Sequence, residues 1–272
     1  MATSKNPQQV TASFWDVEAP YHARIENHFL DLRSIRATIS AVRQPVLVVG
    51  AGQGLIVEEL HHQGFQCDGV DLSDQMIKFA KLRRGLTLVK ADAQALPFEA
   101  GTYATVIYAT GVMDFMGNEA RIALILNEGR RVLTPAGNIL VAFYRLSDAS
   151  VEFLQTVGLL KNHLLSQRQS LEMYLLNPFQ MLAWVANHAG VGYCRAASKL
   201  LGMALRTTIP EKTMTFCMQK LFRNLDLANA LIAAAPETQP YRNEAEIRKL
   251  FERLAVPTRK LQTLQSCYIV HI

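Results

Sequence analysis

The residues of this chain best suited to chemistry are a glycine-rich loop and two acids, each of which follows a short apolar run. The loop follows the run Val46–Val49 directly, precedes a helical pattern, and reads Gly50-Ala51-Gly52-Gln53-Gly54. Glycine permits positive φ angles and a close approach of the backbone to a ligand. Because the free N–H groups at the start of a helix attract anionic or polar groups, the loop predicts a ligand site there.

The two acids are Asp71, 17 residues after Gly54, and Asp92. Asp71 ends the second predicted strand, where a carboxylate can accept hydrogen bonds from both hydroxyls of a ribose. Asp92 follows the end of the third predicted strand, where a carboxylate can accept a hydrogen bond from the exocyclic amine of adenine. Either acid alone could be a turn or helix-cap residue. Together with the glycine loop, in this order along the chain, they favour an adenosine-containing ligand.

The spacing of the glycines disfavours one class of adenosine ligand. The dinucleotide fingerprint requires a third glycine after two intervening residues, and Leu55 occupies that position here. Gly54 comes one residue too early. A nucleotide-dependent oxidoreductase therefore stays open only as an alternative.

Short apolar runs alternate with helical periods over the first 150 residues, which is typical of βαβ units around a mainly parallel sheet. The predicted strands are Val46–Val49, Phe65–Asp71, Leu86–Lys90, Tyr103–Tyr108 and Ile139–Tyr144, and the predicted helices are 14–43, Leu55–Gln63, 74–83 and about 118–132. Ser73 is expected to cap the helix 74–83. A helix near 243–254 and strands near 258–265 and 267–272 return the chain to the sheet.

From about residue 147 to 240 strand signals vanish and helical periods dominate, so this stretch is predicted to be a helical insertion. We expect three parts: an N-terminal helical segment, 1–44, that covers the ligand site; an α/β domain made of 45–146 and 241–272; and the insertion 147–240 as a substrate cap. Asn177-Pro178 predicts the start of one helix within the insertion, and Pro210 predicts the start of another.

The composition is that of a globular protein. Half of the 272 residues are hydrophobic, and the net charge of +5 is spread without a dense basic run. The four cysteines have neither metal-ligand nor redox spacing, so no metal site is predicted. The chain has no run of about 18 apolar residues and no apolar region of a signal peptide. We expect a cytoplasmic protein with no transmembrane segment and no nucleic-acid partner, and a homodimer stays open.

Four motifs make the chain resemble the class I S-adenosylmethionine-dependent methyltransferases over residues 46–144 and, weakly, over the final strands. They are Val46-Leu47-Val48-Val49-Gly50-Ala51-Gly52-Gln53-Gly54, Val70-Asp71-Leu72-Ser73-Asp74-Gln75-Met76, Ala91-Asp92-Ala93 with Leu96-Pro97-Phe98, and Val132-Leu133-Thr134-Pro135-Ala136-Gly137-Asn138. The resemblance implies a Rossmann-like, doubly wound, seven-stranded sheet with an antiparallel last strand; the helical cap would be inserted after the fifth strand. It also implies S-adenosyl-L-methionine as the cofactor and a small molecule as the methyl acceptor.

The resemblance also implies roles for single positions. The residues expected to contact the cofactor are Gly50, Ala51, Gly52 and Gly54 in the loop, Asp71 at the ribose, Leu72 and Met76 beside the adenine, Asp92 and Ala93 at the adenine edge, Ala109 or Thr110 near the methionine part, and Tyr21 in a helix that resembles a cover over the site. Asp114 is the candidate catalytic residue, because many relatives have a polar group facing the substrate near this position. The alternative for Asp114 is an ordinary helix-start acid.

Two positions depart from the family pattern. Val48 and Ala104 stand where the family usually has acids, and they keep open the alternative of a non-catalytic protein that binds S-adenosylmethionine. The insertion is rich in Met and aromatic residues, which adapt to irregular apolar ligands. We therefore expect the acceptor to be apolar or amphipathic.

Overall fold

The structure is a computed structural model. It describes residues 38–114, 116, 119–145, 242–264 and 267–272, together with Ala12, Trp15, Asp16, Ala19 and Arg36. The chain divides into two compact units, Met1–Arg145 with Ala235–Ile272 and Leu146–Ala234. All described residues belong to the first unit, and the fold and site below are those of that unit. The helices and boundaries predicted for 147–240 lie outside the described residues.

The described residues form strands and helices in regular alternation up to β5. The elements are β1 (Val46–Val49), α1 (Leu55–His62), β2 (Cys67–Asp71), α2 (Asp74–Arg84), β3 (Val89–Lys90), β4 (Tyr103–Tyr108), α3 (Glu119–Val132), β5 (Leu133–Tyr144), α4 (Glu244–Arg253), β6 (Lys260–Thr263) and β7 (Cys267–His271). None of the described helices is long and apolar enough to cross a membrane.

The strands form one sheet in the order β3-β2-β1-β4-β5-β7-β6. Strands β1 to β5 pair in parallel, and β7 runs antiparallel to both of its neighbours, β5 and β6. This confirms the predicted seven-stranded, doubly wound sheet and its antiparallel last strand. The order reverses between β1 and β4, and a reversal of this kind opens a crevice at the carboxyl ends of the strands.

Both faces of the sheet are buried, because successive strand residues point to opposite sides. Leu47, Tyr108 and Phe143 lie in a cluster with residues of α3 and α4. Val48 and Ile107 lie in a second cluster, on the opposite face, with residues of α1. Burial on two sides explains why β1 has a continuous apolar sequence instead of an alternating one.

Two strands begin later than the apolar runs that predicted them, β2 by two residues and β3 by three. The amide of Phe65 donates to the carbonyl of Leu60 at 2.9 Å, and the amide of Leu86 donates to that of Ala80 at 3.4 Å. These bonds close the ends of α1 and α2 just after glycines of positive φ. The first apolar residues of each run therefore end a helix instead of joining the sheet.

Two further boundaries differ from the prediction. Strand β5 begins at Leu133, six residues early, because Leu133 already pairs with Tyr103 before the register shifts. The N-terminal helix was expected to reach residue 43, but a 3-10 turn occupies Ile39–Ala41. The amide of Arg43 donates to the hydroxyl of Thr105 at 2.9 Å, so this part of the backbone is bound to β4 instead of continuing a helix.

Candidate cofactor-binding site

The carboxyl ends of β1 to β4 lie at one edge of the sheet, and backbone hydrogen bonds tie each end to its neighbour. These bonds run from Ala51 N to Val70 O (2.9 Å), from Ala91 N to Asp71 O (3.0 Å) and from Ala109 N to Val49 O (3.0 Å). The structure thus brings together the glycine loop, the two acids and the end of β4, which the sequence had predicted to form one site.

The glycine loop packs closely against the turn after β4 at Gly50 and borders open space at Gly52. Gly50 has a φ of 71°, and an added Cβ would lie 2.2 Å from Cγ2 of Val112, in the turn after β4. Gly52 has a φ of 55°, and an added Cβ there would meet no atom within 4 Å. The backbone of Gly52 therefore borders a space that part of a cofactor can enter, as the predicted adenosine ligand requires.

Asp71 joins the glycine loop to the start of α2. One carboxylate oxygen accepts a hydrogen bond from the amide of Gly52 at 2.7 Å, and the other accepts one from the amide of Ser73 at 2.9 Å. A carboxylate has about four lone-pair sites, so both oxygens can still accept from ribose hydroxyls. The residue is 8% exposed, and the arrangement fits an adenosine ribose.

Burial changes the acidity of Asp71. It raises the pKa of the carboxyl group from 3.8 to about 6, against the opposing effect of the amides of Ser73, Gly52 and Leu72, while the charge of Asp16 adds a small further increase. The ionised form is thus costly to bury, and it favours a ligand that offers hydroxyl donors.

Lowering the pH from 7 to 5 is expected to weaken binding of S-adenosylhomocysteine about tenfold, because a group with a pKa of about 6 is roughly one-tenth ionised at pH 5. The raised pKa means that affinity is present above pH 6 and lost as the pH falls through that value. The stability of the fold without ligand changes in the opposite direction. It rises as the pH falls through 6, because the native state takes up the proton on Asp71 more readily than the unfolded state does. Calorimetric titration across this range measures the affinity. In Asp71→Asn the affinity should not vary with pH, and an unchanged pH dependence there would contradict the assignment.

The other predicted cofactor residues surround this edge. Asp92 is half-buried, and its Oδ1 accepts hydrogen bonds from the amide and side chain of Gln94 at 2.8 and 3.2 Å. Met76 and Ala109 are buried; the half-buried members of the set are Leu72, Ala93 and Thr110. Tyr21 lies outside the described residues. The roles assigned to these side chains stay predictions.

Asp114 lies in the turn after β4 and has no exposed surface. Its Oδ2 accepts a hydrogen bond from the amide of Gly111 at 2.9 Å, so the side chain closes that turn. The alternative of a helix-start acid is wrong, because α3 begins only at Glu119. Its expected role toward the methyl acceptor stays a prediction.

The N-terminal segment contacts the site through residues that the sequence analysis did not assign. Oδ1 of Asp16 accepts hydrogen bonds from the hydroxyl of Ser73 at 2.6 Å and from the amide of Gln75 at 3.1 Å. The side chain of Gln53, in the glycine loop, donates to the carbonyl of Ala19 at 2.5 Å. The segment is therefore bound to both loops of the site. The available signals were an acid in the N-terminal helix and the one long polar side chain in the glycine loop.

Replacing Asp16 by alanine is expected to release the N-terminal segment from α2. Two hydrogen bonds to a charged acceptor are lost, and one such bond contributes roughly 1.5–3 kcal/mol. Limited proteolysis should cut residues 1–44 faster in Asp16→Ala than in the unaltered chain. The neighbouring acid Asp74 is exposed and pairs with Lys90, so Asp74→Ala is the control. Equal cutting of the two variants would contradict a docking role for Asp16.

Two arginines at the end of α2 also donate hydrogen bonds to the glycine loop, both of them to Gln53. Arg83 donates to the side-chain oxygen of Gln53 at 3.1 Å, and Arg84 donates to its backbone carbonyl at 3.0 Å. Arg84 also forms an ion pair with Glu58 at 2.7 Å. These contacts anchor the glycine loop to the end of α2.

The two departures from the family pattern lie inside the sheet and leave this geometry intact. Val48 is fully buried and pairs with Gly69 and Ile107. The amide of Ala104 donates to the carbonyl of Pro45 at 2.8 Å. Within the described residues, no three His, Cys, Asp or Glu side chains are grouped to hold a metal.

Several known proteins are similar to this chain over the residues that carry the site. Residues 47–141 match a family model described as a methyltransferase domain. The ubiquinone biosynthesis O-methyltransferase of Xylella fastidiosa (strain 9a5c) is 26% identical over 186 residues, which cover 66% of this chain and 74% of that protein. The protein of the same name from Bordetella parapertussis is 32% identical over 91 residues, 33% of this chain and 38% of that one. The structure of the CcbJ methyltransferase from Streptomyces caelestis aligns with a TM-score of 0.43 at 18% identity, over 50% of this chain and 59% of that chain.

These matches and the site identify the class of protein. Residues 47–141 of this chain match a methyltransferase domain, in agreement with the predicted resemblance to the class I S-adenosylmethionine-dependent methyltransferases. The chain is accordingly a methyltransferase with S-adenosylmethionine as its cofactor, and the nucleotide-dependent oxidoreductase is set aside. The glycine loop and Asp71 would hold that cofactor.

Proposed function

We propose that this chain transfers a methyl group from S-adenosylmethionine to a hydroxyl oxygen of a small, apolar or amphipathic molecule. The choice of oxygen is supported by the names of the relatives from Xylella fastidiosa and Bordetella parapertussis, which are O-methyltransferases. The insertion 147–240 would cover the acceptor. Its position in the chain, directly after β5, supports this part of the proposal, since β5 ends at the edge where ligands bind.

The observation that favours a small acceptor over a polymer is the pairing of the basic side chains. A nucleic-acid groove presents clustered, unpaired Lys and Arg. In the described part of the chain, six basic residues pair with acids, in Arg36–Glu59, Arg84–Glu58, Lys90–Asp74, Arg131–Glu128, Arg248–Glu244 and Arg253–Glu119. With the net charge of +5 spread along the chain, this pairing supports a small-molecule acceptor.

The residues of the chain contribute mainly by position. When bound, the cofactor would supply an electrophilic methyl group: the acceptor oxygen would bond to the methyl carbon in line with the breaking bond to sulfur, and S-adenosylhomocysteine would leave, so alignment provides most of the acceleration. Asp71 and the glycine loop fix the adenosine end of the cofactor. Asp16 and Gln53 bind the N-terminal segment next to it, which helps to keep water from the site. A base is required only where the acceptor hydroxyl must lose its proton during attack.

Transfer of label from S-adenosylmethionine with a deuterated methyl group tests the proposal. The full chain is incubated with the labelled cofactor and a bacterial extract, and the products are divided into small molecules, protein and nucleic acid. Label is expected in small molecules as an O-methyl group, and Asp71→Ala should abolish most of it at limiting cofactor. Enzyme-dependent label confined to protein or nucleic acid would overturn the proposed acceptor class.

A further inference from the structure

Arg242, which comes two residues before α4, is a buried cation with an unused hydrogen-bond donor. The residue is 7% exposed. Its Nη1 atom is buried and has no hydrogen-bond partner in the part of the chain that the structure describes. Burying an N–H group without an acceptor costs free energy, most of all on a charged side chain. The Nη1 atom is therefore a candidate for binding an acceptor group of a ligand.

Arg242 lies at the edge of the sheet where ligands bind. Its guanidinium carbon is 5.8 Å from the centroid of the Phe143 ring, close enough for a cation–π interaction that holds the group in place. Phe143 is the penultimate residue of β5 and is fully buried. Arg242 is thus on the β5 side of the crevice, whereas Asp71 marks the cofactor on the β2 side.

The acids around Arg242 balance its charge but leave the Nη1 donor unused. Burial lowers the pKa of the guanidinium, and the charges of Asp114, Glu246 and Glu119 oppose that change. Each of these acids has a partner elsewhere: Asp114 accepts from Gly111 N, Glu246 accepts from Asn243 N, and Glu119 pairs with Arg253. A further acceptor can therefore bind Arg242 without breaking these contacts.

A second guanidinium lies above the neighbouring ring. Tyr268 on β7 pairs directly with Phe143 across the strands, so the two side chains share one face of the sheet. The guanidinium carbon of Arg145 is 5.8 Å from the Tyr268 ring centroid, and its Nη1 donates to the carbonyl of Leu264 at 3.2 Å. Two guanidinium groups therefore lie over adjacent rings at this end of β5 and β7.

We infer that the Arg242 guanidinium binds an oxyanion of the methyl acceptor, a carboxylate or a phosphate, and so selects anionic over neutral small molecules. This inference rests on the proposed transfer to a small molecule. A planar guanidinium matches the two oxygens of such a group better than an ammonium does. Arg242 then fixes the anionic end of the acceptor on the β5 side and leaves the rest of it to reach toward the cofactor.

The test compares three probes of similar shape, benzoate, phenyl phosphate and neutral benzamide, on the full chain saturated with S-adenosylhomocysteine. A ligand of the native state raises the unfolding temperature according to its affinity. We expect at least one anion to bind about tenfold tighter than benzamide, and the tighter anion identifies the oxyanion. Arg242→Met should lower anion affinity about tenfold and leave benzamide and S-adenosylhomocysteine unaffected. Arg248→Met removes a half-exposed arginine from α4 and should change none of the affinities.

Equal affinity for the three probes, or unchanged anion affinity in Arg242→Met, would overturn the inference. A purely structural role would lower the unfolding temperature without ligand but leave the probe affinities equal to those of the unaltered chain. Arg242→Lys keeps the charge and loses the planar fork, so it serves as a milder variant and should show an intermediate loss. The proposed function is judged separately: if S-adenosylhomocysteine itself fails to stabilise the chain, that function fails, and the same probes, titrated without S-adenosylhomocysteine, still report on Arg242.

Discussion

Replacing Asp71 by alanine is expected to reduce the affinity for S-adenosylhomocysteine by roughly 10- to 150-fold. The estimate follows from the loss of hydrogen bonds to a charged acceptor, roughly 1.5–3 kcal/mol, at about 1.4 kcal/mol for each factor of ten. The loss has two sources in the structure. The ribose loses its acceptor, and the amides of Gly52 and Ser73 lose the carboxylate that holds the two loops together.

A neighbouring acid on the same strand provides the control for this prediction. Asp68 is exposed and accepts a hydrogen bond from the hydroxyl of Tyr103 at 2.9 Å, away from the carboxyl edge. Asp68→Ala should lose that bond and keep its cofactor affinity. Calorimetric titration of both variants, with circular dichroism to show that they are folded, measures the difference. Cofactor binding by folded Asp71→Ala at the affinity of the unaltered chain would remove Asp71 from the site.

Replacing Gly129 by alanine is expected to destabilise the fold by roughly 1–3 kcal/mol, the usual cost of overpacking, although alanine is the better helix former by about 1 kcal/mol. Gly129 lies in α3, and an added Cβ would be 2.2 Å from the hydroxyl oxygen of Tyr108. That hydroxyl donates to the carbonyl of Ile125 at 2.6 Å. Tyr108 is fully buried, so its ring cannot move aside into solvent.

Tyr108→Phe separates the steric effect from the helix effect. Removing the hydroxyl costs one hydrogen bond, about 0.5–1.5 kcal/mol, and the nearest remaining ring atom would be 3.1 Å from the new Cβ. The double variant should therefore be more stable than Gly129→Ala alone. Urea unfolding gives the four free energies of this cycle. Simple additivity of the two changes would show that the clash is not the cause.

The elements most accurately predicted from sequence are those determined by local pattern. Strands β1 and β4 have the predicted bounds because both are buried on two faces and consist mostly of apolar, β-branched and aromatic residues. Ser73 was predicted to cap α2, and its hydroxyl accepts a hydrogen bond from the amide of Met76 at 3.1 Å. A strand edge or a cap depends on a few adjacent residues, so it can be predicted from them.

What the sequence did not reveal depends on residues far apart in the chain. Asp16 meets Ser73 across 57 positions, and Arg84 meets Gln53 across 31. No spacing rule predicts such pairs, because the sheet order and the exit angles of two loops determine them. Each of these residues can be read from the sequence, but its partner in the fold cannot. Arg242 is a similar case, since only the packing of α4 on β5 places it near Asp114.

The antiparallel strand β7 has a consequence for the order in which the molecule folds. It pairs with β5 along five register positions, from Leu140–His271 to Tyr144–Cys267, although more than one hundred residues separate the two strands. Closing so long a loop is slow, because its entropy must be lost before the strand contacts form. Until β7 arrives, β5 is an open edge with Val141 and Phe143 unprotected, and an edge of this kind invites pairing with other chains. Pairing with β7 therefore covers the β5 edge, and it also brings Tyr268 and Arg145 next to Phe143 and Arg242.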